Sequence, residues 1–355
     1  MKKKEERVEE RVEGNNSEAL LEILKKKYAK SNFSTASSIK SLDRFRSGIA
    51  GIDCLLGGGW PVGRVVELAG KESAGKSAIS IRACLEEVEG GYTALYQDLE
   101  QTVTREYLEY MGVSGELGRR FICNVPTYGE EAVDIGLVAA ADESVRLIVT
   151  DSVPFMMPKT VLEKLEDDSA YNPSAMSQAA MFNRLKQNIV SGLTYSNSCW
   201  LFINQIRDNT NTMYGGVHAP GGHTLAHLYS IRLHITHTTI EADKPGLIKS
   251  HIKSIKNKTF TPGLATEIPI YKGRVQLGQS LLIEGVKVGV IVKGGSWYSV
   301  ENEFREESGI ELSKLGQGEE RAGRAIEESV GSYKVLYEEV LRRHIEKHSL
   351  KLGGD

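Results

Sequence analysis

The sequence predicts an α/β fold with a mostly parallel sheet, preceded by an N-terminal helical arm and followed by a small α+β C-terminal domain. Three observations support this prediction. Short apolar runs alternate with helical stretches between about residues 40 and 275, which is typical of a parallel sheet covered on both faces. A short helix and a polar linker precede them, and short strands and a charged helical tail follow. The predicted domains are therefore residues 1–39, 40–275 and 276–355.

The N-terminal segment begins with a charge-rich stretch and continues into the predicted helix "SEALLEILKKKYAKSNF". Ser17 is its expected N-cap. Four apolar residues then recur at helical spacing: Leu20, Leu21, Ile23 and Leu24. A helix this short is marginal in water, so its apolar face must dock on something. The polar linker "STASSIKS" would let it reach a neighbouring molecule.

The central segment supplies the strands of the predicted sheet. They are, in chain order, "GRVVELAG", "TALYQDLE", "RLIVTDSV", "CWLFINQI" and "IRLHITH", with "HIKSIKNKTF" and "TEIPIYKG" as a further strand pair. Helices are predicted after Ser77, around "REYLEYMG" and across "SQAAMFNRLKQNIVSGL". In such folds, ligands bind outside the carboxyl ends of the strands.

Composition limits the function. The chain has 355 residues, of which 40% are hydrophobic and 26% charged, as in ordinary globular proteins. A net charge of −3 excludes a nucleic-acid surface spread over the whole molecule, so such a surface must be local or built by several chains. The sequence contains neither an apolar run long enough to span a membrane nor the apolar core of a signal peptide, and we expect a cytoplasmic protein. The cysteines form no CxxC pair and are predicted to be buried, reduced thiols: Cys54, Cys84, Cys123 and Cys199.

The stretch "GKESAGKS" matches the phosphate-binding pattern G-x-x-x-x-G-K-[ST] and lies between a predicted strand and a predicted helix, as this pattern requires. Its backbone N–H groups can surround phosphate oxygens at a helix N-terminus. Lys76 would reach the β- and γ-phosphates, and the Ser77 hydroxyl would hold Mg²⁺. The predicted ATP-binding residues here are Gly70, Lys71, Glu72, Ser73, Ala74, Gly75, Lys76, Ser77 and Ala78.

Three further strand ends carry side chains suited to ATP hydrolysis. "RLIVTD" ends in Asp151, whose carboxylate would act on Mg²⁺ directly or through water. "ALYQDLE" ends with Asp98 and Glu100; Glu100 is the candidate base for the attacking water, and Asp98 is expected to be structural. Gln205 follows "LFIN" and can touch the γ-phosphate. Because its backbone leads into a polar, Gly-containing stretch, phosphate could order or release that loop.

Two further features of the sequence bear on function. His344 and His348 are four residues apart in the charged tail, a spacing that can bind a metal. They have no third ligand nearby in sequence, so a solvated helix face is the favoured interpretation. Tyr214 is a lone aromatic residue in the polar stretch after Gln205, which favours base stacking or another DNA contact.

Together, "GRVVELAGKESAGKS", "QDLE", "LIVTDSV", "LFINQIR", "IKNK" and "GGSWYS" resemble the bacterial RecA recombinase family in order and spacing, from about Ser17 to about His344. The resemblance implies a RecA-like ATPase core, a small C-terminal domain and an N-terminal helix that packs on the next protomer. It implies an ATP- and Mg²⁺-dependent helical filament of identical protomers on single-stranded DNA. Such a filament exchanges strands with duplex DNA in recombination, repair and the SOS response to DNA damage. A LexA-like repressor is a further implied partner.

The resemblance also implies roles for individual residues. Tyr107 matches an aromatic residue stacked near adenine, and Lys256 and Lys258 match a pair that reaches across the protomer interface to the neighbour's ATP. Cations supplied in this way would stabilise the transferring phosphoryl group. The two implied DNA-facing loops span about residues 154–173 and 206–222. Their implied DNA-binding residues are Tyr171, Asn172, Arg207, Met213, Tyr214, Gly221, Gly222 and His223.

The sequence departs from the family pattern in both loops. Asp208 stands where the usual pattern carries no acid, and the first loop contains the acidic "EKLEDDSAYNP". Because phosphate contacts dominate DNA affinity, we expect weaker and less salt-dependent binding. Ala226 and His227 replace the Lys and Phe usual after the second loop, which affects the expected cooperativity between ATP sites. A diverged member, such as one carried by a phage or mobile element, fits these departures.

Two other functions remain compatible with the sequence. A motor with the same core, such as a ring helicase, would be favoured by an arginine finger and a translocation-loop lysine, whereas this chain offers the Lys256 and Lys258 pair. A regulatory or scaffolding filament would bind ATP without exchanging strands, and the cation-poor loops leave this alternative open.

Overall fold

The computed structural model describes residues 16–29, 33–39, 41–167, 175–208, 217–218, 222–241 and 244–349. The chain divides into two compact units, with the boundary between Leu42 and Asp43. Within the described ranges, no helix is both long and apolar enough to cross a membrane.

The first unit contains helix α1 (Asn16–Lys27) and a 3₁₀ turn (Ala36–Ser38). Because α1 already begins at Asn16, Ser17 lies in its first turn, and the prediction of Ser17 as N-cap is wrong. The apolar stripe is only partly covered: Leu20 is 55% exposed and Ile23 is 61% exposed.

The second unit contains the sheets and the remaining helices. Its strands are β1 (Arg44–Phe45), β2 (Trp60–Pro61), β3 (Val65–Gly70), β4 (Thr93–Asp98), β5 (Phe121–Asn124), β6 (Val145–Asp151), β7 (Cys199–Gln205), β8 (Arg207–Asp208), β9 (Val217–His218), β10 (Ile231–Ile240), β11 (Leu247–Asn257), β12 (Ala265–Tyr271), β13 (Arg274–Val275), β14 (Ile291–Gly294), β15 (Trp297–Val300) and β16 (Lys314–Gln317). Its helices are α2 (Ala50–Leu56), α3 (Lys76–Glu89), α4 (Arg105–Met111), α5 (Gly115–Arg120), α6 (Gly129–Ala140), α7 (Lys159–Asp167), α8 (Ala175–Leu193), α9 (Gly222–Leu228), α10 (Leu277–Lys287), α11 (Asn302–Ser308), α12 (Glu319–Glu328) and α13 (Val330–His348).

Nine strands form one sheet in the order β13-β12-β11-β10-β3-β7-β6-β4-β5. Neighbouring strands from β10 to β5 pair in parallel. Strands β11, β12 and β13 extend the sheet by antiparallel pairing. The predicted mostly parallel sheet is confirmed, and the pair predicted after it is β11 with β12.

Strand β7 shows why these strands read as continuous apolar runs. Leu201 and Ile203 join the hydrophobic cluster that includes α3 residues. Trp200 and Phe202 join the cluster that includes α6 and α8 residues. All four side chains are fully buried. Because side chains alternate across a strand, a sheet covered on both faces buries every position.

The C-terminal region contains the three-stranded sheet β14-β15-β16 and helices α10 to α13, so the predicted small α+β domain is confirmed. Its hydrophobic core also includes Ala50 and Cys54 of α2. The domain boundary near residue 275 stays a prediction.

Two expectations about single side chains are wrong. Cys123 is exposed, unlike Cys54, Cys84 and Cys199, because it lies on the edge strand β5. His344 is only 5% exposed, so the face of α13 that carries it is not solvated. Helix α13 packs this face against α2 and α10, a tertiary contact that the charged sequence around it does not indicate.

The packing between α6 and β7 yields a stability prediction. A Cβ at Gly136 would lie 2.2 Å from ring carbons of Trp200. We therefore expect Gly136→Ala to lower the free energy of unfolding by about 1–3 kcal/mol through overpacking. The matched control is Gly118→Ala in α5, where a Cβ would meet nothing within 4 Å. This change should raise the free energy of unfolding by up to about 1 kcal/mol, because Ala favours a helix more than Gly does. Urea unfolding measures both; equal stabilisation would contradict the expected overpacking.

Candidate active site

The carboxyl ends of four parallel strands meet at one edge of the sheet. In the register of the ladders, Gly70 of β3 lies opposite Gln205 of β7. Asp98 of β4 lies opposite Asp151 of β6. Strands far apart in sequence thus bring the candidate side chains together, at the edge where ligands bind in this class of sheet.

The loop between β3 and α3 has a backbone suited to phosphate binding. Ser73 and Gly75 have positive φ angles, of 57° and 89°, and α3 begins directly afterwards at Lys76. Successive N–H groups in such a turn at a helix N-terminus can converge on an anion. Gly75 is also required for space, because a Cβ there would lie 2.3 Å from Cδ1 of Ile270.

Lys76 is largely buried under this loop, with 9% of its surface exposed. Its Nζ donates hydrogen bonds to the carbonyl oxygens of Gly70 (3.1 Å) and Lys71 (2.7 Å). Burial lowers the pKa of Lys76, and the carboxylates of Asp151 and Glu100 act in the opposite sense. The ammonium group is therefore held at the loop, where phosphate oxygens can replace the carbonyls as acceptors.

Ser77 and Asp151 form the candidate Mg²⁺ site. The Ser77 hydroxyl donates to Oδ2 of Asp151 at 2.8 Å, and the hydroxyl of Tyr96 donates to the same oxygen at 2.5 Å. Burial raises the pKa of Asp151 to about 6, and the carboxylates of Glu100 and Asp98 contribute to the rise. A hydroxyl beside a carboxylate is a donor set that Mg²⁺ accepts. A cation here would favour the ionised form of Asp151.

Glu100 and Gln205 are already in contact. Gln205 Nε2 donates to Glu100 Oε1 at 3.2 Å, and the hydroxyl of Ser152 donates to the same oxygen. Sequence reasoning missed Ser152, although its position directly after Asp151 placed it at the same sheet edge. The predicted base and the predicted phosphate-sensing amide thus form one hydrogen-bonded unit.

Asp98 has hydrogen-bond partners in the turn that follows β4. Its carboxylate accepts hydrogen bonds from the backbone N–H groups of Thr102 (3.2 Å) and Val103 (2.8 Å). It therefore fixes the turn that follows β4, as expected for a structural residue.

A cavity of about 340 Å³ opens at this edge. The predicted residues that line it are Glu72, Ser73, Ala74, Gly75, Lys76, Ser77, Ala78, Glu100, Tyr107, Asp151 and Gln205. Gly70 and Lys71 are not in this lining. Tyr107 reaches the cavity from α4 and lies against Gly273.

Four lining residues were missed by sequence reasoning: Gly246, Ile248, Ile270 and Gly273. They come from β11, β12 and the turns beside them. "KPG" and "YKG" mark turns, but only the strand register brings these turns beside the phosphate-binding loop.

A larger cleft of about 840 Å³ lies elsewhere, and Glu320, Arg324, Glu327 and Glu328 of α12 contribute to its lining. Its three carboxylates outnumber its two cations, Lys244 and Arg324, whereas the smaller cavity contains the phosphate-binding loop. We therefore assign nucleotide binding to the smaller cavity.

A family model described as the RecA N-terminal domain matches residues 16–275. Protein RecA from Thermus aquaticus is 30% identical over 92% of this chain and 93% of its own length. Protein RecA from Cereibacter sphaeroides is 31% identical over 81% of this chain and 80% of its own. The chain belongs to the RecA family. It is therefore a DNA-dependent ATPase with a role in recombination and repair, in a family that uses ATP, binds DNA and forms homo-oligomeric filaments.

The two lysines that RecA similarity singled out lie away from the cavity of their own chain. Strand β11 runs antiparallel to β10, so its first residues reach the cavity and its last residues point to the opposite edge. Ile248 lines the cavity, and Lys256 follows eight residues later, roughly 26 Å along an extended strand. Lys256 Nζ donates to the carbonyl of Ala226 at 2.7 Å.

The predicted DNA-binding residues are only partly described. Tyr171, Asn172, Met213, Tyr214 and Gly221 lie outside the described residues. Strand β8, which contains Arg207, pairs with β9 as a short antiparallel ladder, and Gly222 and His223 begin α9. The first predicted loop is not wholly irregular, because α7 occupies residues 159–167.

We expect Glu100→Gln to lower the rate of ATP hydrolysis by about 10²–10⁴-fold, because the amide cannot accept the proton of the attacking water. Nucleotide binding should persist, since Glu100 is not part of the phosphate-binding loop. Phosphate release and fluorescent-nucleotide binding measure the two effects. Glu143→Gln is the control, because Glu143 is an exposed turn residue that does not line the cavity, and it should keep near-wild-type turnover. Near-wild-type hydrolysis by Glu100→Gln would refute its assignment as the base.

The raised pKa of Asp151 predicts a pH-dependent stability. Its folded pKa of about 6 exceeds the unfolded value of roughly 3.9. The protonated Asp151 side chain therefore favours the folded state at low pH, and this contribution to stability is lost as the pH rises through about 6. Without nucleotide and Mg²⁺, the stability of Asp151→Asn relative to wild type should increase by up to about 3 kcal/mol between pH 4 and pH 8. Urea unfolding at both pH values measures this difference; a difference independent of pH would contradict it.

Proposed function

We propose that ATP is hydrolysed at the interface between neighbouring protomers of a filament on single-stranded DNA, and that the filament pairs with and exchanges strands of a duplex. The observation that carries this proposal is the distance between the cavity and the Lys256 and Lys258 pair of the same chain. Among the described residues that line the cavity, Lys76 is the one Lys or Arg. A neighbouring protomer would supply the missing cations.

The electrostatics of the lysine pair support this arrangement. Burial lowers the pKa of Lys256, and the positive charges of Lys258 and Arg232 lower it further. Three cations close together repel one another, and a polyphosphate from another protomer would relieve that repulsion. Hydrolysis would then require assembly, because phosphoryl transfer needs charge stabilisation that a single chain does not complete.

Within one protomer, five residues that line the cavity have proposed roles. Lys76 would bind the β- and γ-phosphates. Ser77 and Asp151 would hold Mg²⁺, the latter through water, and the ion would neutralise phosphate charge. Glu100 would orient and deprotonate the attacking water, while Tyr107 would stack near adenine.

Gln205 would report the γ-phosphate to the DNA-binding loop. A phosphate that accepts from its amide would compete with Glu100, which now accepts at 3.2 Å. The backbone of Gln205 continues almost directly into β8, whose pairing with β9 closes the base of the second predicted DNA loop. Phosphate occupancy would thereby shift the arrangement of that loop.

A buried polar network would couple Gln205 to the interface lysines. The N–H of Gln205 donates to Asn204 Oδ1 at 3.0 Å, and Asn204 Nδ2 donates to Glu67 Oε1 at 2.9 Å. Arg232 Nε donates to the other oxygen of Glu67 at 2.6 Å. Burial opposes ionisation of Glu67, but its hydrogen bonds, above all from His234 and Arg232, hold its pKa below the ordinary value. Arg232 lies opposite Lys256 in the β10–β11 ladder.

The N-terminal helix also supports assembly. Leu20 and Ile23 of α1 are more than half exposed, and we propose that this apolar face packs on the next protomer.

The cation-poor second loop favours a rival function, an ATP-binding scaffold filament that exchanges no strands, so the test must separate the two functions.

The decisive experiment measures ATP hydrolysis with and without single-stranded DNA, images the assemblies by electron microscopy, and follows strand exchange between a single strand and a homologous duplex. DNA-stimulated hydrolysis, helical filaments and exchanged strands are expected. Filaments without exchange would favour the scaffold, and closed rings that unwind a forked duplex would identify a motor.

A mixing experiment tests the interface site directly. Lys76→Ala and the double variant Lys256→Ala, Lys258→Ala should each lose DNA-stimulated hydrolysis, while the double variant keeps nucleotide binding. In mixed filaments, a Lys76→Ala protomer would supply its intact lysine pair to the intact phosphate loop of a double-variant protomer. We therefore expect partial recovery of hydrolysis on mixing, roughly a quarter of wild type for random assembly, since both neighbours must be of the right kind.

The control for this experiment is Lys314→Ala, which removes an exposed lysine of β16 and should retain wild-type hydrolysis. Failure of the mixture to recover any activity, with both variants assembled on DNA, would refute the in-trans assignment. Normal hydrolysis by the double variant alone would refute it as well.

A LexA-like repressor as a further partner rests on family similarity. Assembled filaments incubated with such a repressor should promote its self-cleavage, which gel electrophoresis detects. An uncut repressor beside active filaments would contradict this part of the proposal.

A further inference from the structure

Three buried side chains from three separate helices converge in the C-terminal core. They are Cys54 of α2, Glu284 of α10 and His344 of α13, and one potential ligand atom from each lies within 4.8 Å of the other two. Their exposed fractions are 1%, 1% and 5%. None of them lines the nucleotide cavity, so none takes part in the hydrolysis proposed for that cavity.

The imidazole of His344 lacks the partners that a buried polar group normally has. Neither ring nitrogen makes a hydrogen bond to a described residue. Its Nδ1 lies 3.9 Å from Glu284 Oε2, and the backbone of Cys54 approaches the ring without meeting hydrogen-bond geometry. A buried ring nitrogen without a hydrogen-bond partner destabilises the folded protein. A metal ion between these groups would remove that destabilisation by coordinating the nitrogen.

Glu284 is oriented for such a role by its own neighbours. Its Oε1 accepts hydrogen bonds from Thr266 and from Lys287 Nζ, the latter at 2.7 Å. Its Oε2 is the oxygen that faces His344. Metal-binding carboxylates are commonly held in this way by outer hydrogen bonds, which fix the direction of the ligating oxygen.

A fourth ligand is available one helical turn further on. His348 follows His344 by four residues on α13, and the two ring centroids are 4.6 Å apart. This is the spacing that places two imidazoles on one face of a helix. His348 is half-buried, so either its ring or a water molecule can complete the coordination.

We propose that Cys54, Glu284 and His344, with His348 or water as the fourth ligand, form a structural binding site for a divalent transition-metal ion such as Zn²⁺. A sulfur, nitrogen and oxygen donor set suits Zn²⁺, with bonds of about 2.0–2.3 Å. It does not suit Mg²⁺, which prefers oxygen ligands. Tetrahedral bonds of that length put ligand atoms about 3.4–3.8 Å apart, so the side chains close by about 1 Å on binding.

The site is structural, because its ligands are too deeply buried for a substrate to reach a bound ion. It ties α2, near the start of the second unit, to α10 and α13 near its end. Burial raises the pKa of the Cys54 thiol well above its ordinary value, so metal binding must displace a proton. The ion then adds to stability by mass action without touching the ATP cavity.

The test is a titration of the full chain with Co²⁺, without nucleotide and with a reductant that contains no thiol. We expect one equivalent of Co²⁺ to give a near-ultraviolet band from thiolate-to-cobalt charge transfer. Cys54→Ser should abolish the band, whereas the matched control Cys123→Ser, at an exposed cysteine, should keep it. His344→Asn should weaken binding by more than the roughly 10–100-fold lost when an outer-sphere partner is removed.

The charge-transfer band separates this site from Co²⁺ bound at Ser77 and Asp151, where no thiolate is present. A thermal melt with Zn²⁺ adds a second measurement: wild type and Cys123→Ser should be stabilised, and Cys54→Ser should not. Circular dichroism checks that each variant folds. Absence of the band in folded wild type, or an equal band in Cys54→Ser, would overturn the proposal. If Cys54→Ser does not fold, the wild-type and Cys123→Ser titrations decide it.

Discussion

The parallel alignment of β3, β7, β6 and β4 is the constraint on which the site depends. It puts Gly70 beside Gln205 and Asp98 beside Asp151, so residues from distant segments share one edge of the sheet. Asp98 and Asp151 are buried at this edge, and buried polar groups need hydrogen-bond partners. Tyr96 and Ser77 satisfy Asp151, while Ser152 and Gln205 satisfy one oxygen of Glu100.

The antiparallel extension of the sheet has the opposite consequence. Because β11 runs antiparallel to β10, Ile248 near its start lies at the nucleotide cavity and Lys256 near its end lies away from it. One chain therefore holds the phosphate loop and the lysine pair at different places. The hydrogen bonds from Gln205 through Asn204 and Glu67 to Arg232 cross β7, β3 and β10 between them. A buried ionised carboxylate such as Glu67 is costly unless fully paired, which makes this connection sensitive to any change in its members.

Prediction from sequence worked best where neighbours in the chain are neighbours in the site. The loop from Glu72 to Ala78 lines the cavity as expected, because a strand, a glycine-containing turn and a helix are set by local spacing. Gly246 and Gly273 were missed because their places beside the cavity depend on strand register. Ser17 was misjudged by two positions, because an N-cap precedes the first helical residue and this helix begins at Asn16, a difference within the usual uncertainty of a helix start. Cys123 was misjudged because sequence alone did not show that β5 is an edge strand.

The sequence by itself determined the phosphate-binding loop, the alternation that makes a parallel sheet, and the family. These follow from local spacing and from the order of motifs. Only the tertiary structure decided that Asp98 holds a turn while Glu100 contacts Gln205, and that Lys256 lies far from its own cavity. It alone showed that His344 lies beside Glu284 and Cys54. The charged sequence of α13 does not indicate which face of the helix is buried. The physical reason is the same in each case: burial and long-range contacts depend on packing between segments, and local sequence does not encode which segments meet.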